Sequence, residues 1–242
     1  MSDGILITAR LKSKRLKKKI LKKLPNGDTV IEYLIKNLKT TFKKNKIVLI
    51  TSKSNQDTIL TKIAERHNIL FFRGHPLDVL DRMYNASIKF KFKNIISCTA
   101  DNPLIDTLYA KKILNYHKLK KNDLTTNLSL PIGMFSYAVN VNSLRKVIIK
   151  KNSKNTETWI EYFKKIKNFK VEDYGKPKDA LGIRLTIDFI EDFNTVSRVL
   201  KNCRSRFPRF HDIINLKKKK PGIFKINSNI VQKSVTRPLF KK

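Results

Sequence analysis

The chain has 242 residues, and its 53 Lys and Arg against 19 Asp and Glu give a formal net charge of +34. Hydrophobic residues make up 40% of it, which supports a sizeable core and excludes wholesale disorder. No apolar run approaches the roughly 18–20 residues of a membrane span, and two cysteines make neither a disulfide framework nor a metal cluster. We therefore expect a reduced, cytoplasmic protein that makes no membrane contact.

Two explanations account for the excess of basic residues. One is nucleic-acid binding, because cations gain affinity by releasing counterions from phosphates. The other is compositional drift, since Lys far outnumbers Arg, and Asn and Ile are abundant, as in proteins encoded by A+T-rich sequences. Proteins that bind nucleic acid favour Arg for its bidentate guanidinium. We therefore assign function only to local clusters and expect no specific nucleic-acid partner.

Short apolar runs alternate with segments of helical period in the first half of the chain. The runs at 5–8, 47–51, 69–72 and 95–99 are typical of buried strands, and the spacing of apolar residues predicts helices at 29–43, 55–67, 77–90 and 106–118. This alternation predicts an α/β fold, with a mostly parallel sheet flanked by helices.

The rhythm changes after Lys121. We predict strands at 123–128, 136–141, 168–172 and 182–187, helices at 142–151, 156–166 and 189–202, and a tail of short helices and loops that begins at Phe207 and includes Pro238. The sequence contains no internal repeat and no Gly/Ser linker. It therefore predicts a single domain over residues 1–242.

Several common catalytic motifs are absent. The seven glycines lie too far apart for a Walker loop or a G-x-G-x-x-G turn. The chain has no G-x-S-x-G elbow, and its four histidines lack the spacing of metal ligands. Dinucleotide-dependent redox chemistry and serine hydrolysis are therefore disfavoured.

A cationic loop, residues 9–19, follows the first predicted strand directly. Ligands of open parallel sheets bind beyond the carboxyl ends of the strands, and this loop begins there. Without glycines, a triphosphate needs side-chain cations, and Arg10, Arg15 and Lys19 are the candidates. A solvated lysine-rich loop is the alternative, and charge alone does not decide between the two.

Two acidic residues follow predicted strands. Asp101 closes the fourth strand, and Asp188 ends the predicted strand at 182–187. Mg²⁺ usually takes one or two protein carboxylates and completes its shell with water and phosphate oxygens. Either acid alone fits a helix N-cap equally well, since helices follow both. Two strand-end acids beside a cationic loop, in a chain with few acids, favour a metal site.

A third segment, residues 72–83, combines a turn with the start of a helix. Gly74 and Pro76 predict the turn, and Asp78 is placed to begin the helix. Arg82 lies one turn further on, where it either reaches a ligand or pairs with Asp78 at i, i+4.

Five segments match one known pattern in order and spacing over about residues 4–200. The matching residues are Ala9, Arg10, Ser13, Arg15, Leu16, Lys19 and Leu21; Thr51 and Ser52; Arg73, Gly74, Asp78 and Arg82; Asp101 and 103–106; and 185–188 with Glu191 and Asp192. Pro221 and Asn227 echo the end of that pattern. Together they resemble the cytidylyltransferases that make CMP-activated acidic sugars, especially the spore-coat-polysaccharide type.

The resemblance implies a glycosyltransferase-A-like nucleotide-binding fold, with a nucleotide-binding half at about 1–120 and a sugar-binding half at about 121–242. It implies CTP and a sugar as substrates, pyrophosphate as a product, and Mg²⁺ held by Asp101 and Asp188. Arg15, Lys19 and Asp101 would be catalytic. The implied nucleotide-binding residues are Ala9, Arg10, Ser13, Arg15, Lys19, Thr51, Ser52 and Arg82.

The chain departs from the family pattern in two regions. Lys12, Lys17 and Lys18 stand where the family prefers Gly, Pro and Gly, which makes the phosphate loop bulkier and more charged, and Ala100 replaces a Gly. Phe135 and Tyr137 stand where acids are common, in a region expected to face the sugar.

Two other classes of function stay open at this stage. A glycosyltransferase of related fold would consume a nucleotide sugar and release no pyrophosphate. A basic nucleic-acid-binding protein would interleave aromatic residues with Arg on one face, whereas here the lysines fall at exposed helical positions. A homodimer is also left open.

Overall fold

The computed structural model describes residues 2–13, 15–175, 177 and 182–230. Its strands are β1 (Ser2–Thr8), β2 (Ile47–Ser52), β3 (Leu70–Gly74), β4 (Phe92–Thr99), β5 (Leu124–Thr126), β6 (Tyr137–Asn140) and β7 (Val171–Asp173). Its α-helices are α1 (Val30–Lys39), α2 (Thr58–Arg66), α3 (Val79–Lys89), α4 (Thr107–Lys120), α5 (Val141–Lys150), α6 (Ile160–Lys165), α7 (Ile190–Asn202), α8 (Phe210–Lys219) and α9 (Gly222–Lys225).

The strands form one seven-stranded sheet in the order β3-β2-β1-β4-β6-β5-β7. β1 lies in the middle and pairs in parallel with both β2 and β4, so that Ile7 is opposite Leu49 on one side and Cys98 on the other. β6 runs antiparallel to β4 and β5. The predicted α/β class with a mostly parallel, helix-flanked sheet is confirmed.

Helices cover both faces of the sheet, which explains why its central strands are apolar throughout. Side chains of alternate strand positions enter different clusters, with Ile7 and Leu49 on one face and Leu6 and Ile50 on the other. α1, α2 and α4 pack on the first face, and α3, α5 and α6 pack on the second. The segments that follow β1 and β4 meet at the carboxyl ends of these strands, where the N–H of Ala100 donates to the carbonyl of Thr8.

The predicted strand at 182–187 is wrong. Only an isolated bridge between Ile132 and Arg184 forms within the described part of this segment. Leu185 and Ile187 are fully buried, as the alternation suggested, but they pack in a third cluster with α7 and α8 rather than in the sheet. The alternating pattern therefore predicted correctly which side chains are buried, but the prediction that the segment pairs with the sheet is wrong.

Most of the other predicted elements are confirmed, with shifted ends. α1 stops at Lys39 instead of continuing to residue 43. The strand predicted at 168–172 lies at Val171–Asp173. The predicted short helices of the tail correspond to α8 and α9, whereas Pro238 lies outside the described residues. No helix in the described part of the chain is long and apolar enough to cross a membrane.

Candidate active site

The side chain of Lys19 joins the two acids that the sequence singled out. Its ammonium donates to Oδ2 of Asp101 at 2.5 Å and to Oδ1 of Asp188 at 2.7 Å. These two carboxylates lie 82 and 169 residues from Lys19 along the chain. The fold therefore brings the basic loop and both acids to one point beyond the carboxyl ends of β1 and β4.

Neighbouring parallel strands place Lys19 and Asp101 together. The backbone N–H of Ala100 donates to the carbonyl of Thr8 at 3.0 Å, which continues the β1–β4 pairing one residue past the strand ends. Lys19 begins a short 3₁₀-helix, Lys19–Leu21, whose buried Ile20 anchors the loop in the core. Lys18, just before it, has a φ of +49°, which explains why the family pattern prefers Gly at this position.

A close backbone approach positions Asp188. The N–H of Ile187 donates to the carbonyl of Asp101 at 2.9 Å, so the two acidic segments lie side by side. The same segment also passes close to Gly133, where a Cβ would meet the backbone nitrogen of Thr186 at 2.3 Å and where the φ of +96° favours Gly. The segment at 185–188 thus reaches the sheet edge by packing over a glycine.

Neither acid caps a helix. The N-cap of α4 is Asp106, whose carboxylate accepts from backbone N–H groups of the first turn. α7 starts after Phe189, and the N–H of that residue donates to Asp192 rather than to Asp188. The alternative of two simple caps is therefore wrong, and both carboxylates are committed to the cluster around Lys19.

Electrostatics favour the charged forms of Lys19 and Asp188. Burial alone would lower the pKa of Lys19, but Asp101 and Asp188 outweigh it and raise that pKa above its usual value. Burial would likewise raise the pKa of Asp188, and the neighbouring Lys19, Arg15 and Arg184 instead hold it below its ordinary range. The contacts around Lys19 and Asp188 therefore favour the charged forms of both groups.

Arg15 joins the cluster from its solvent side. Its guanidinium donates to Oδ1 of Asp188 at 2.8 Å and lies 5.4 Å from the ring centroid of Phe189. Its side chain is 49% exposed, whereas that of Lys19 is 13% exposed. Lys12, Lys17 and Lys18 are exposed. The loop is thus divided into two residues that face the acids and a set that faces solvent.

Arg10 lies apart from the two acids. It forms an ion pair with Glu157, a residue that the sequence analysis did not identify. Burial lowers the pKa of Arg10, and the charge of Asp57 opposes that effect. The charge of Arg10 is therefore balanced by a carboxylate from the second half of the chain.

A buried acid, Asp57, organises the base of the loop and was also missed. One carboxylate oxygen accepts from the N–H of Leu11 at 2.8 Å, and the other accepts from the hydroxyl of Ser52. Ser13 is held by a bond from its N–H to the carbonyl of Leu11 at 2.9 Å. Because its only sequence signal is an acid before a helix, Asp57 resembles an ordinary cap.

The remaining candidates, Ala9, Thr51 and Arg82, are buried. The N–H of Ala9 donates to the carbonyl of Ile50 at 3.0 Å, which leaves little of this residue accessible. The hydroxyl of Thr51 has no partner among the described residues. A bound ligand would have to reach Ala9 and Thr51 through the backbone or by local movement.

Arg82 supports the turn before α3. Its Nη1 donates to the carbonyls of His75 and Pro76 at 2.6 and 3.0 Å, and burial lowers its pKa to about 10. Asp78 caps α3 and pairs with Lys151, so the i, i+4 pairing with Arg82 is not what holds this turn. Arg82 therefore holds the turn before α3 by bonding to its backbone, and the charge of Arg10 also lowers the pKa of Arg82.

Aromatic residues cluster around the start of β6. The ring of Tyr137 lies 5.5 Å from that of Phe135 and 5.6 Å from that of Trp159, measured between centroids. Tyr137 is opposite Ser97 in the antiparallel β4–β6 pair, so Phe135 lies toward the end of β4 where Asp101 follows. Phe135 and Tyr137, which stand where acids are common, thus pack against each other.

The carboxylate pair fits a magnesium ion. Asp101 and Asp188 supply the one or two carboxylates that Mg²⁺ usually takes from a protein, with water and phosphate oxygens completing six ligands. Groups of three or more His, Cys, Asp or Glu suited to a metal are absent from the described ranges. A metal bound here would therefore depend on a phosphate ligand as well as on the protein.

Comparisons of sequence point in one direction. A family model described as cytidylyltransferase matches residues 5–230. An uncharacterized protein of Methanocaldococcus jannaschii is 34% identical over 236 residues, which cover 95% of this chain and 96% of that protein. The spore coat polysaccharide biosynthesis protein SpsF of Bacillus subtilis is 27% identical over 212 residues, which cover 83% of this chain and 87% of that protein.

Solved structures share the fold. A cytidylyltransferase from Leptospira borgpetersenii superposes with a TM-score of 0.87 at 26% identity, covering 97% of this chain and all of that one. A CMP:2-keto-3-deoxy-manno-octonic acid synthetase in complex with CTP superposes with a TM-score of 0.63 at 12% identity, covering 83% of this chain and 99% of that one. At that identity the second likeness concerns the fold alone.

Proposed function

Since the chain belongs to the cytidylyltransferase family, we propose that it transfers CMP from CTP to a sugar hydroxyl and releases pyrophosphate. The family match confirms the resemblance that the five sequence segments indicated. We further propose that the sugar is an acidic or surface-polysaccharide sugar. The observation that carries the proposal is the contact of one ammonium, that of Lys19, with both Asp101 and Asp188 beyond the strand ends.

In the proposed reaction the sugar hydroxyl attacks the α-phosphate of CTP in line with the departing pyrophosphate, and the residues of the cluster would take different roles in this step. Lys19 and Arg15 would contact the β- and γ-phosphates and stabilise the charge that develops on the leaving pyrophosphate. Asp101 and Asp188 would hold Mg²⁺, which when bound neutralises charge on the phosphate oxygens. Lys19 would exchange its two carboxylate contacts for phosphate contacts when CTP and Mg²⁺ bind, which frees both acids for the metal.

Arg10 is the proposed third phosphate ligand, and Glu157 competes for it. An ion pair between partly exposed side chains is worth about 0.5–1 kcal/mol. The side chains of Arg10 and Glu157 are 28% and 46% exposed, which places their pair in that class. CTP would therefore displace Glu157 from Arg10 at a small cost in free energy.

The variant Glu157→Gln is expected to bind CTP about two- to fivefold more tightly, because Arg10 is then free of its carboxylate partner. Titration calorimetry with CTP measures the change. Glu161→Gln is the matched control, since Glu161 forms an exposed ion pair with Lys164 and is expected to leave CTP affinity unchanged. Equal CTP affinity in the wild type and in Glu157→Gln would contradict the proposal that Arg10 binds a phosphate of CTP.

Nucleotide binding itself is tested by thermal stability. CTP with Mg²⁺ is expected to raise the melting temperature in about 0.2 M salt and to do so more than ATP, because a ligand at 100 times its Kd adds about 2.7 kcal/mol of stability. Non-specific RNA or DNA binding should weaken by orders of magnitude at the same salt. A chain that no nucleotide stabilises but that still binds one nucleic acid tightly would be a nucleic-acid-binding protein.

A screen for pyrophosphate release with four nucleotides and a panel of sugars identifies the reaction. Release that requires CTP and one sugar supports the proposal. Consumption of a nucleotide sugar without pyrophosphate release would instead indicate a glycosyltransferase of related fold. A cytoplasmic location and a homodimer stay predictions, and fractionation and light scattering test them.

A further inference from the structure

Buried hydrogen bonds hold Asp188 on the side that faces away from Lys19 and Arg15. Its Oδ2 accepts from Nη2 of Arg184 at 3.1 Å, and its backbone N–H donates to Oδ2 of Asp192 at 2.9 Å. Oδ1 is therefore the oxygen that faces Lys19 and Arg15. Which oxygen of Asp188 reaches the site is thus decided by residues that are themselves outside it.

Asp192 is the centre of this set. Its side chain is fully buried, and its Oδ1 accepts from Nε of Arg184 at 2.9 Å. Its Oδ2 accepts from the N–H groups of Asp188 and Phe189 at 2.9 and 3.0 Å. A buried carboxylate that accepts several N–H bonds fixes the geometry of every donor around it. Asp192 therefore fixes both the backbone and, through Arg184, the side chain of Asp188.

Asn227 ties this set to the C-terminal part of the described chain. It is 2% exposed and follows α9. Its Nδ2 donates to Oδ1 of Asp192 at 2.8 Å and to the carbonyl of Arg184 at 3.0 Å. One amide thus holds both the acid and the backbone of the arginine that position Asp188.

We propose that Asp192 and Asn227 are positioning residues for nucleotide-bound Mg²⁺, acting through Arg184 on the orientation of Asp188. This inference rests on the proposed function, because Asp188 matters in this way only if it holds the metal. The C-terminal segment that contains α8, α9 and Asn227 would then help to position a metal ligand, in addition to burying apolar side chains. Residues behind a metal ligand commonly change metal affinity about 10- to 100-fold when replaced.

The test is the gain in CTP affinity that Mg²⁺ provides. Titration calorimetry gives the Kd of CTP in EDTA and in Mg²⁺, and the ratio of the two values measures the contribution of the metal. Asn227→Ala and Asp192→Asn are expected to reduce this ratio about 10-fold and to leave the Kd in EDTA unchanged. Asp188→Asn should show the same loss, since all three variants act on one metal ligand.

A matched control separates positioning from stability. Asn122 is a buried asparagine whose Nδ2 donates to Thr125 and to Glu172, at the amino end of β5 and so at the opposite edge of the sheet. Asn122→Ala is expected to lower the melting temperature and to leave the ratio unchanged. If Asn227→Ala does not fold, Asn227→Ser retains one donor at this position and is expected to give a smaller loss of the ratio.

The outcomes are distinct. An unchanged ratio in Asn227→Ala, with a melting temperature lowered as in Asn122→Ala, overturns the positioning role and leaves the proposed function standing. Equal weakening in EDTA and in Mg²⁺ also overturns it, because the effect is then general to the site. Wild-type protein that binds no CTP, or gains nothing from Mg²⁺, overturns the proposed function and this inference with it.

Discussion

Asp101→Asn is expected to reduce turnover about 10³-fold, because a neutral amide is a poor ligand for Mg²⁺ and leaves the phosphate charge uncompensated. The melting temperature should change little, since this carboxylate is 24% exposed and its one hydrogen bond in the described chain is to Lys19, which keeps Asp188 as a partner. Pyrophosphate release at saturating Mg²⁺ measures the loss, and differential scanning calorimetry confirms that the variant is folded.

Asp188→Asn provides the comparison within the same site. Its activity should fall similarly, with some retained if water takes the place of the lost carboxylate. Its stability should fall more, because the side chain of Asp188 is 7% exposed and its loss leaves Arg184 with only one of two carboxylates. Normal turnover of Asp101→Asn with Mg²⁺ would show that the metal is not held where we propose.

The first half of the fold was predictable because its signals are local. Short apolar strands alternate with amphipathic helices, and parallel strands necessarily bring the residues that follow them to one edge of the sheet. That rule alone placed the loop after β1 beside Asp101. The meeting of Lys19 with this acid therefore follows from chain order and sheet geometry.

The environment of Asp188 could not be predicted in this way. The residues at 182–187 alternate like a strand, but Arg184 is drawn to Asp192 and Asn227, and the segment crosses over Gly133 instead of joining the sheet. The contacts with Asn227 and Gly133 join residues distant in sequence, and hydrophobic periodicity predicts none of the three contacts. The acid was correctly singled out, whereas the reason for its placement required the structure.

The same limit explains the residues that sequence analysis missed or described incompletely. Asp57 looks like a helix cap, and Glu157 is one exposed acid among many charged residues. Each becomes informative only when a second residue, Leu11 in one case and Arg10 in the other, is found beside it. The roles of Asp57 and Glu157 are therefore visible only from contacts between residues that are distant in the sequence.

Arg15→Ala and Lys19→Ala are expected to weaken transition-state stabilisation by about 2–4 kcal/mol each, or about 30- to 1,000-fold in kcat/KM. Lys19 should show the larger loss, because its ammonium is nearly buried between two carboxylates, whereas the side chain of Arg15 is half exposed. The rate of pyrophosphate release, measured across CTP concentrations with each variant, gives these values directly.

Lys17→Ala and Lys18→Ala are the matched controls, since both side chains belong to the same loop and are exposed to solvent. They remove the same unit charge as Lys19→Ala but no contact to Asp101 or Asp188, so each is expected to cost less than about 0.5 kcal/mol. A loop that acts through its total charge would instead give equal, small losses at all four positions, and these losses would shrink together as salt is raised. Losses concentrated at Arg15 and Lys19 that persist in about 0.2 M salt are therefore the signature of phosphates held at fixed positions.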